Sequence, residues 1–179
     1  LAFQMAYRQA KSGLRVGIFS LEMPRDDVAG RVALAECNVD QYRMNRLDLA
    51  RLERIVSEFG GLPIAVCDTS LLTVGEIARE AREMRRVLGG LDMLVIDHLG
   101  YIQHAGEQSD NETVRIGRTM KSLARLAKDL DAALLLLCQL SREVLNRRDK
   151  APDLQDLRDS GHIEQDARMV LMLHRPGYY

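Results

Sequence analysis

The sequence predicts an α/β protein on a mostly parallel, doubly wound sheet with helices on both faces. Short apolar runs recur at Val16 to Phe19, Pro63 to Val66, Leu91 to His98, Ala132 to Cys138 and Met169 to Leu173. Helix-length periodic stretches separate them, which implies right-handed crossovers and parallel pairing. Three of these runs lead into a polar group, Glu22, Asp97 or Gln139, and on a parallel sheet all such ends share one edge.

Taken in order, Ala2, Met5, Ala6 and Ala10 lie near helical spacing, and Ser12-Gly13 stops that helix before the first strand. Pro24 suits the first turn of the next helix, Asp26 and Asp27 favour its positive end, and Val28, Val32 and Ala35 supply an apolar stripe. After a turn near Asn38, Leu52, Ile55, Val56 and Phe59 mark another helix, ended by Gly60-Gly61. The run from Pro63 closes at Cys67-Asp68. Thr73 and Glu76 then have the spacing of a capping box, with Ile77, Ala81, Met84 and Leu88 on one helical face.

Gly89-Gly90 precedes Leu91 to His98, whose apolar residues suit a strand covered on both faces. His104 to Asn111 is polar and aperiodic, and reads as a loop. Ser109 and Glu112 form a second box, opening a helix with Ile116, Met120, Leu123, Ala127 and Leu130 inward and Lys121, Arg125 and Lys128 on another face. Residues 141–161 are charged and short of large apolar groups.

Composition narrows the function classes. A chain of 179 residues suits one buried domain. The net charge of −1 excludes the bulk electrostatics of a histone-like binder, and 4% aromatics without Trp argue against a base-stacking platform. Three dispersed cysteines indicate neither a disulfide framework nor a zinc site. No apolar run has the length of a membrane span and no signal-peptide pattern opens the chain, so the expected location is cytoplasmic, without membrane contact.

Two carboxylates and an amide on one rim, without a paired Ser/His or Cys/His, fit phosphoryl transfer to water. Asp97 suits the Mg²⁺ role, Glu22 the base that deprotonates water, and Gln139 the group that feels the terminal phosphate. Each also has a plainer role alone: Glu22 as an acid favouring the helix after it, Asp97 as a turn residue, Gln139 as a strand-end amide. Nothing of the GxxxxGK[ST] type, the usual phosphate cradle, occurs from Leu1 to Tyr179.

The segments VGIFSLEMP from Val16, LVIDHLGYI from Leu94 and CQLSREVLNRRDKAPDLQDLRDSGHIEQDA from Cys138 resemble, in this order, the motor domain of DnaB-family replicative DNA helicases. The resemblance covers nearly the whole chain, and DLRDSGHIEQDA is its most specific part. It implies a RecA-like P-loop NTPase fold, incomplete here at the N-terminal strand and the C-terminal end, with residues 1–179 as one partial motor domain. It further implies ATP and Mg²⁺ as cofactors and homo-hexameric rings that encircle single-stranded DNA and move 5′ to 3′, with a primase and a helicase loader as candidate partners.

On this resemblance Glu22 matches the catalytic glutamate, Asp97 the Walker B aspartate, which would hold Mg²⁺ through water, and Gln139 the sensor of the γ-phosphate. Arg158-Asp159-Ser160-Gly161 matches the loop that holds the DNA backbone, so Arg158, Asp159 and Gly161 are candidate DNA contacts, with Arg147 and Arg148 nearby. One basic side chain, exposed amides and a Gly suit a phosphate. His98 and Gly100 stand where the family more often has Tyr and Gln, Cys138 where it has Ser, and Asp159 where it has Glu.

The resemblance places the phosphate loop upstream of Leu1 and the arginine finger beyond Tyr179, so the chain alone is expected not to turn over ATP. Competing expectations are a non-catalytic binding or assembly module, and a RecA-like recombinase or clock-type ATPase on the same fold.

Overall fold

The computed structural model describes residues 1–39, 45–103, 111–141, 144, 147, 149–157, 163, 165–175 and 177. Among them, strands β1 (Val16–Ser20), β2 (Ile64–Cys67), β3 (Met93–Asp97) and β4 (Ala133–Leu136) form one sheet in the order β2-β1-β3-β4. Every pairing is parallel, with Phe19 opposite Cys67, Ser20 opposite Asp97 and Ile96 opposite Leu136. Helices α1 (Ala2–Lys11), α2 (Arg25–Cys37), α3 (Arg46–Gly61), α4 (Val74–Leu88) and α5 (Glu112–Leu130) precede and connect the strands.

Alternation along the strands sorts the core into two layers. Val16 and Ile18 of β1 and Val95 of β3 pack with Tyr7, Val28, Val32 and Phe59 from α1, α2 and α3. Phe19, Leu94 and Ile96 point the other way, onto Ile77, Ala81 and Met84 of α4 and Leu123 and Leu126 of α5. Both sheet faces are therefore covered, as the unbroken apolar runs require. Burying each such Ile, Leu or Phe contributes about 1.5–3 kcal/mol. Gly17 lets α4 approach closely, since a Cβ there would come within 3.0 Å of Met84 Sδ and Leu94 Cδ1.

Local chemistry sets the helix ends. Thr73 accepts from the Glu76 amide while the Glu76 carboxylate accepts from the Thr73 amide, the expected reciprocal box. Asn45 and Asp48 make the same device at α3. Gly89 ends α4 in the left-handed region at φ 70°, with Arg85 and Arg86 in the last turn against the negative end of the helix. No helix among the described residues is long and apolar enough to cross a membrane.

Several local expectations need correction. Helix α5 is capped by Asn111, whose side chain accepts from the Val114 amide, not by Ser109, which lies outside the described residues with the rest of 104–110. Asn111 stands immediately before the first helical residue, the position from which a side chain reaches an orphan N–H. In α2 the stripe turns through Ala33, which is buried, and leaves Ala35 exposed; Val56 of α3 is likewise exposed.

The segment Met169 to Leu173 is not a strand. Its side chains alternate, with Val170 and Met172 against the core and Met169, Leu171 and Leu173 exposed, yet it joins no ladder among the described residues. Alternation reports one buried face, and a strand also needs a neighbour to bond.

At the amino ends of the strands, Arg15 grips Asp92. Its Nε donates to Oδ2 at 2.8 Å, its Nη2 to Oδ1 at 2.7 Å, its backbone amide to Oδ2 at 2.8 Å, and its Nη1 to the Gly89 carbonyl at 2.7 Å. This ties the start of β1 to the turn before β3. Hydrogen bonds from the guanidinium and the Arg15 amide hold the Asp92 carboxyl down from 3.8 to about 2. Because folding depresses this value, the pair's contribution is complete above the ordinary carboxylate range and is lost as pH falls through about 2. Asp92→Asn is expected to lower the urea midpoint at neutral pH, and the gap to the unsubstituted chain should narrow as pH falls from 3.8 toward 2. A gap independent of pH would remove the ion pair as its cause.

Candidate functional site

The carboxyl ends of the parallel strands form one edge. Ser20, the last residue of β1, lies opposite Asp97, the last of β3. Ser20 Oγ donates to the Met23 carbonyl at 2.7 Å, turning the chain, and the Leu21 amide donates to the Asp97 carbonyl at 2.9 Å. Leu21 is buried, and the Glu22 side chain projects from the turn 49% exposed. Past β4, the Leu137 amide donates to the Ile96 carbonyl at 3.0 Å and the Leu99 amide to the Leu137 carbonyl at 2.9 Å. These bonds keep the chain beyond β4 beside the chain beyond β3, which brings Gln139 to the same edge.

Two acids stand on this edge in opposite electrostatic states. Asp68, after β2, is held by Arg25, whose backbone amide donates at 3.0 Å and whose Nη2 donates at 3.2 Å. That bonding lowers its pKa. Among the described residues no donor is paired with the Asp97 carboxylate, and burial raises its pKa; the charge of Glu22 adds to the rise while His98 and Arg31 oppose it. Asp68 is committed to the fold, whereas the Asp97 carboxylate has no bonded donor among the described residues and would be stabilised by a cation.

His98 stands between the other two groups. Its side chain is only 10% exposed, and its Nε2 lies 3.2 Å from Gln139 Nε2 and 3.8 Å from Glu22 Oε2. Nδ1 accepts from the Gly100 amide at 3.1 Å, and the ring meets Tyr101 edge-on at 4.8 Å. Glu22, Asp97 and Gln139, assigned to one rim from the sequence, are thus together. His98, noted in the sequence only as a departure from the family's usual Tyr, lies between two of them. The H-x-G spacing after the strand is the one signal that could have marked it.

The residues fit a magnesium ion bound with a phosphate. No cluster of three or more His, Cys, Asp or Glu able to hold a metal alone occurs among the described residues. Mg²⁺ at nucleotides takes one or two carboxylates and fills the rest with water and phosphate oxygens. Asp97 meets that requirement, with Glu22 within electrostatic reach. Burial pushes the Cys138 thiol up to about 11, so it is a packed, unreactive group.

Of the candidate DNA contacts, Arg148, Arg158, Asp159 and Gly161 lie outside the described residues. Arg147 is described and is engaged by its own segment. It pairs with Asp156 and, at 3.2 Å, with Asp153 and the Ala151 carbonyl. Asp156, 5% exposed, also accepts from the Asp153 amide at 2.7 Å, within the short 3₁₀ turn Leu154–Asp156. The next residue, Leu157, forms an antiparallel bridge with Leu140, and the Ser141 amide donates to the Asp156 carbonyl at 2.7 Å. The chain leading into Arg158 is therefore anchored one residue from Gln139.

A parallel α/β sheet with two acids and an amide converging on its carboxyl edge defines the class of nucleotide-handling motor domains. The family model of the DnaB-like helicase C terminal domain matches residues 1–179, and the chain belongs to that family. It is 36% identical over 174 residues to the replicative DNA helicase DnaB of Geobacillus stearothermophilus, covering 94% of this chain and 38% of that protein. It is 35% identical over 184 residues to a probable plasmid replicative DNA helicase of Chlamydia psittaci, covering 100% of this chain and 39% of that one. The chain thus spans well under half the length of these curated relatives.

Among solved structures, a DnaB-like replicative helicase studied with its primase interactions superposes with a TM-score of 0.89 at 29% identity, covering 99% of this chain and 44% of that one. A second solved structure, an isolated ATPase domain, superposes at 0.85 and 29% identity, covering 99% of this chain and 65% of that one. The sheet described above is accordingly the RecA-like fold of DnaB-type ATPase domains.

Removing Arg147 would leave Asp156 buried without its charge partner. Arg147→Ala is expected to lower the thermal unfolding midpoint. Arg147→Lys should recover only part, because an ammonium does not span two carboxylates and a carbonyl as the guanidinium fork does. Equal midpoints for both variants and the parent would show that the fork contributes nothing.

Proposed function

We propose that this chain is the motor part of a replicative DNA helicase, in which ATP hydrolysis drives translocation on single-stranded DNA and duplex unwinding. The observation that carries this reading is the convergence of Glu22, half-buried Asp97 and Gln139 on one edge of the sheet, in a chain whose family model matches residues 1–179. Residues 1–179 act as one domain in this reading, and the assembled protein is a hexamer working in the cytoplasm. The similarity to a helicase studied with its primase supports a primase as partner, and a loader is expected to place the ring on DNA.

In this mechanism Asp97 would hold Mg²⁺ through water, and the ion would supply positive charge against the triphosphate. The rim's second carboxylate, Glu22, is exposed enough to meet water, and accepts the proton of the molecule that attacks the γ-phosphorus. Gln139 donates a neutral hydrogen bond to the terminal phosphate and so distinguishes the triphosphate from the diphosphate. Arg158, Asp159 and Gly161, with Arg148, hold the DNA backbone. Arg147 pairs with Asp153 and Asp156 in the segment that precedes Arg158 in the chain.

In the full-length protein, Glu22→Gln is expected to cut ATP turnover by ~10²–10⁴-fold with nucleotide affinity retained, and an unchanged rate would remove the base assignment. Arg158→Ala should weaken single-strand binding and reduce the slope of log affinity against log salt by about one, as loss of one phosphate contact does. Titration of a fluorescent oligonucleotide at several salt concentrations checks it, and an unaltered slope would move the DNA contact elsewhere.

A further inference from the structure

The bridge formed by His98 points to a role for a residue outside the chemistry itself. Its Nδ1 accepts from the Gly100 amide at 3.1 Å, so the neutral ring carries its proton on Nε2. That N–H points at the Gln139 amide 3.2 Å away. Two donors do not bond, so the amide meets the ring through its oxygen, the orientation reached by a half-turn of the terminal amide. Its NH2 group is then turned away from the ring and is free to donate.

The ring itself is held. It is 8% exposed, braced by Tyr101 at 75°, and seated over Gly100, where a Cβ would lie 2.9 Å from Cε1 and 3.1 Å from Nδ1. Only a residue without a side chain leaves room at position 100 for the imidazole in this place. The same Nε2 faces Glu22 Oε2 at 3.8 Å, too long for a bond.

We propose that His98 is a positioning residue: its Nε2–H locks the Gln139 amide oxygen, presenting the amide NH2 to the terminal phosphate of a nucleoside triphosphate. The proposal rests on the reading of this rim as a triphosphate site. A side chain fixed by a neighbour loses less freedom when it meets its ligand, so the lock sharpens discrimination of triphosphate from diphosphate and leaves diphosphate binding untouched.

Two substitutions separate the ring nitrogens. The short amide of His98→Asn can accept near Nδ1 but leaves nothing at Nε2, whereas the longer His98→Gln brings an N–H close to the Nε2 position. In the full-length protein, kcat for ATP, and affinities for ADP and for a non-hydrolysable ATP analogue, are measured for both variants. His98→Asn is expected to lower kcat and the preference for the analogue over ADP by about tenfold each, the effect of one hydrogen bond, with ADP affinity within about twofold. His98→Gln should recover most of both.

Gly100→Ala, which pushes the ring aside without altering its chemistry, should act like His98→Asn and serves as the test if that variant fails to bind ADP. Equal behaviour of the Asn and Gln variants, or an unchanged analogue preference in His98→Asn and Gly100→Ala, would overturn the proposal while the triphosphate reading stands. Absence of ATP hydrolysis in the unsubstituted full-length protein would overturn that reading, and the proposal with it.

Discussion

Parallel pairing of β1 with β3 is the constraint on which the rest depends. Because Ser20 lies opposite Asp97, the turn that carries Glu22 leaves the sheet beside the acid at the end of β3. Antiparallel pairing would send the two residues to opposite ends of the sheet. Parallel strands need crossovers, and both faces of the sheet must then be covered. The layers of α1, α2 and α3 on one side and α4 and α5 on the other thus follow from the arrangement that gathers the polar groups.

The rim shows how one element of chemistry is assigned to structure and another left free. Asp68 and Asp97 both stand at the ends of short apolar strands, yet among the described residues only Asp68 is ion-paired with an arginine. Its carboxylate is stabilised within the chain and helps start α2. Asp97 is partly desolvated with a second negative charge nearby, an arrangement that a bound cation would relieve.

The same edge is joined by backbone to the segment that enters Arg158. Leu140 follows Gln139 directly and bridges to Leu157, while Asp156 behind it is held by Arg147 and by the Ser141 amide. Gln139 and the segment that enters Arg158 are thus joined through Leu140, one bridge and Leu157. Both ends of this connection are buried: Leu157 is 6% exposed and Asp156 is 5% exposed.

The alternation of apolar runs with amphipathic stretches determined the α/β class, the Thr73 box and the buried faces of α4 and α5, because these depend on residues close in sequence. Strand-end position likewise determined Glu22, Asp97 and Gln139 as rim groups, since a parallel sheet leaves them no other edge. Whether Met169 to Leu173 has a strand partner, which of Asp68 and Asp97 meets an arginine, and that His98 lies between Glu22 and Gln139 were decided only by the tertiary structure. Each depends on distances between segments far apart in the chain, and local periodicity carries no information about those.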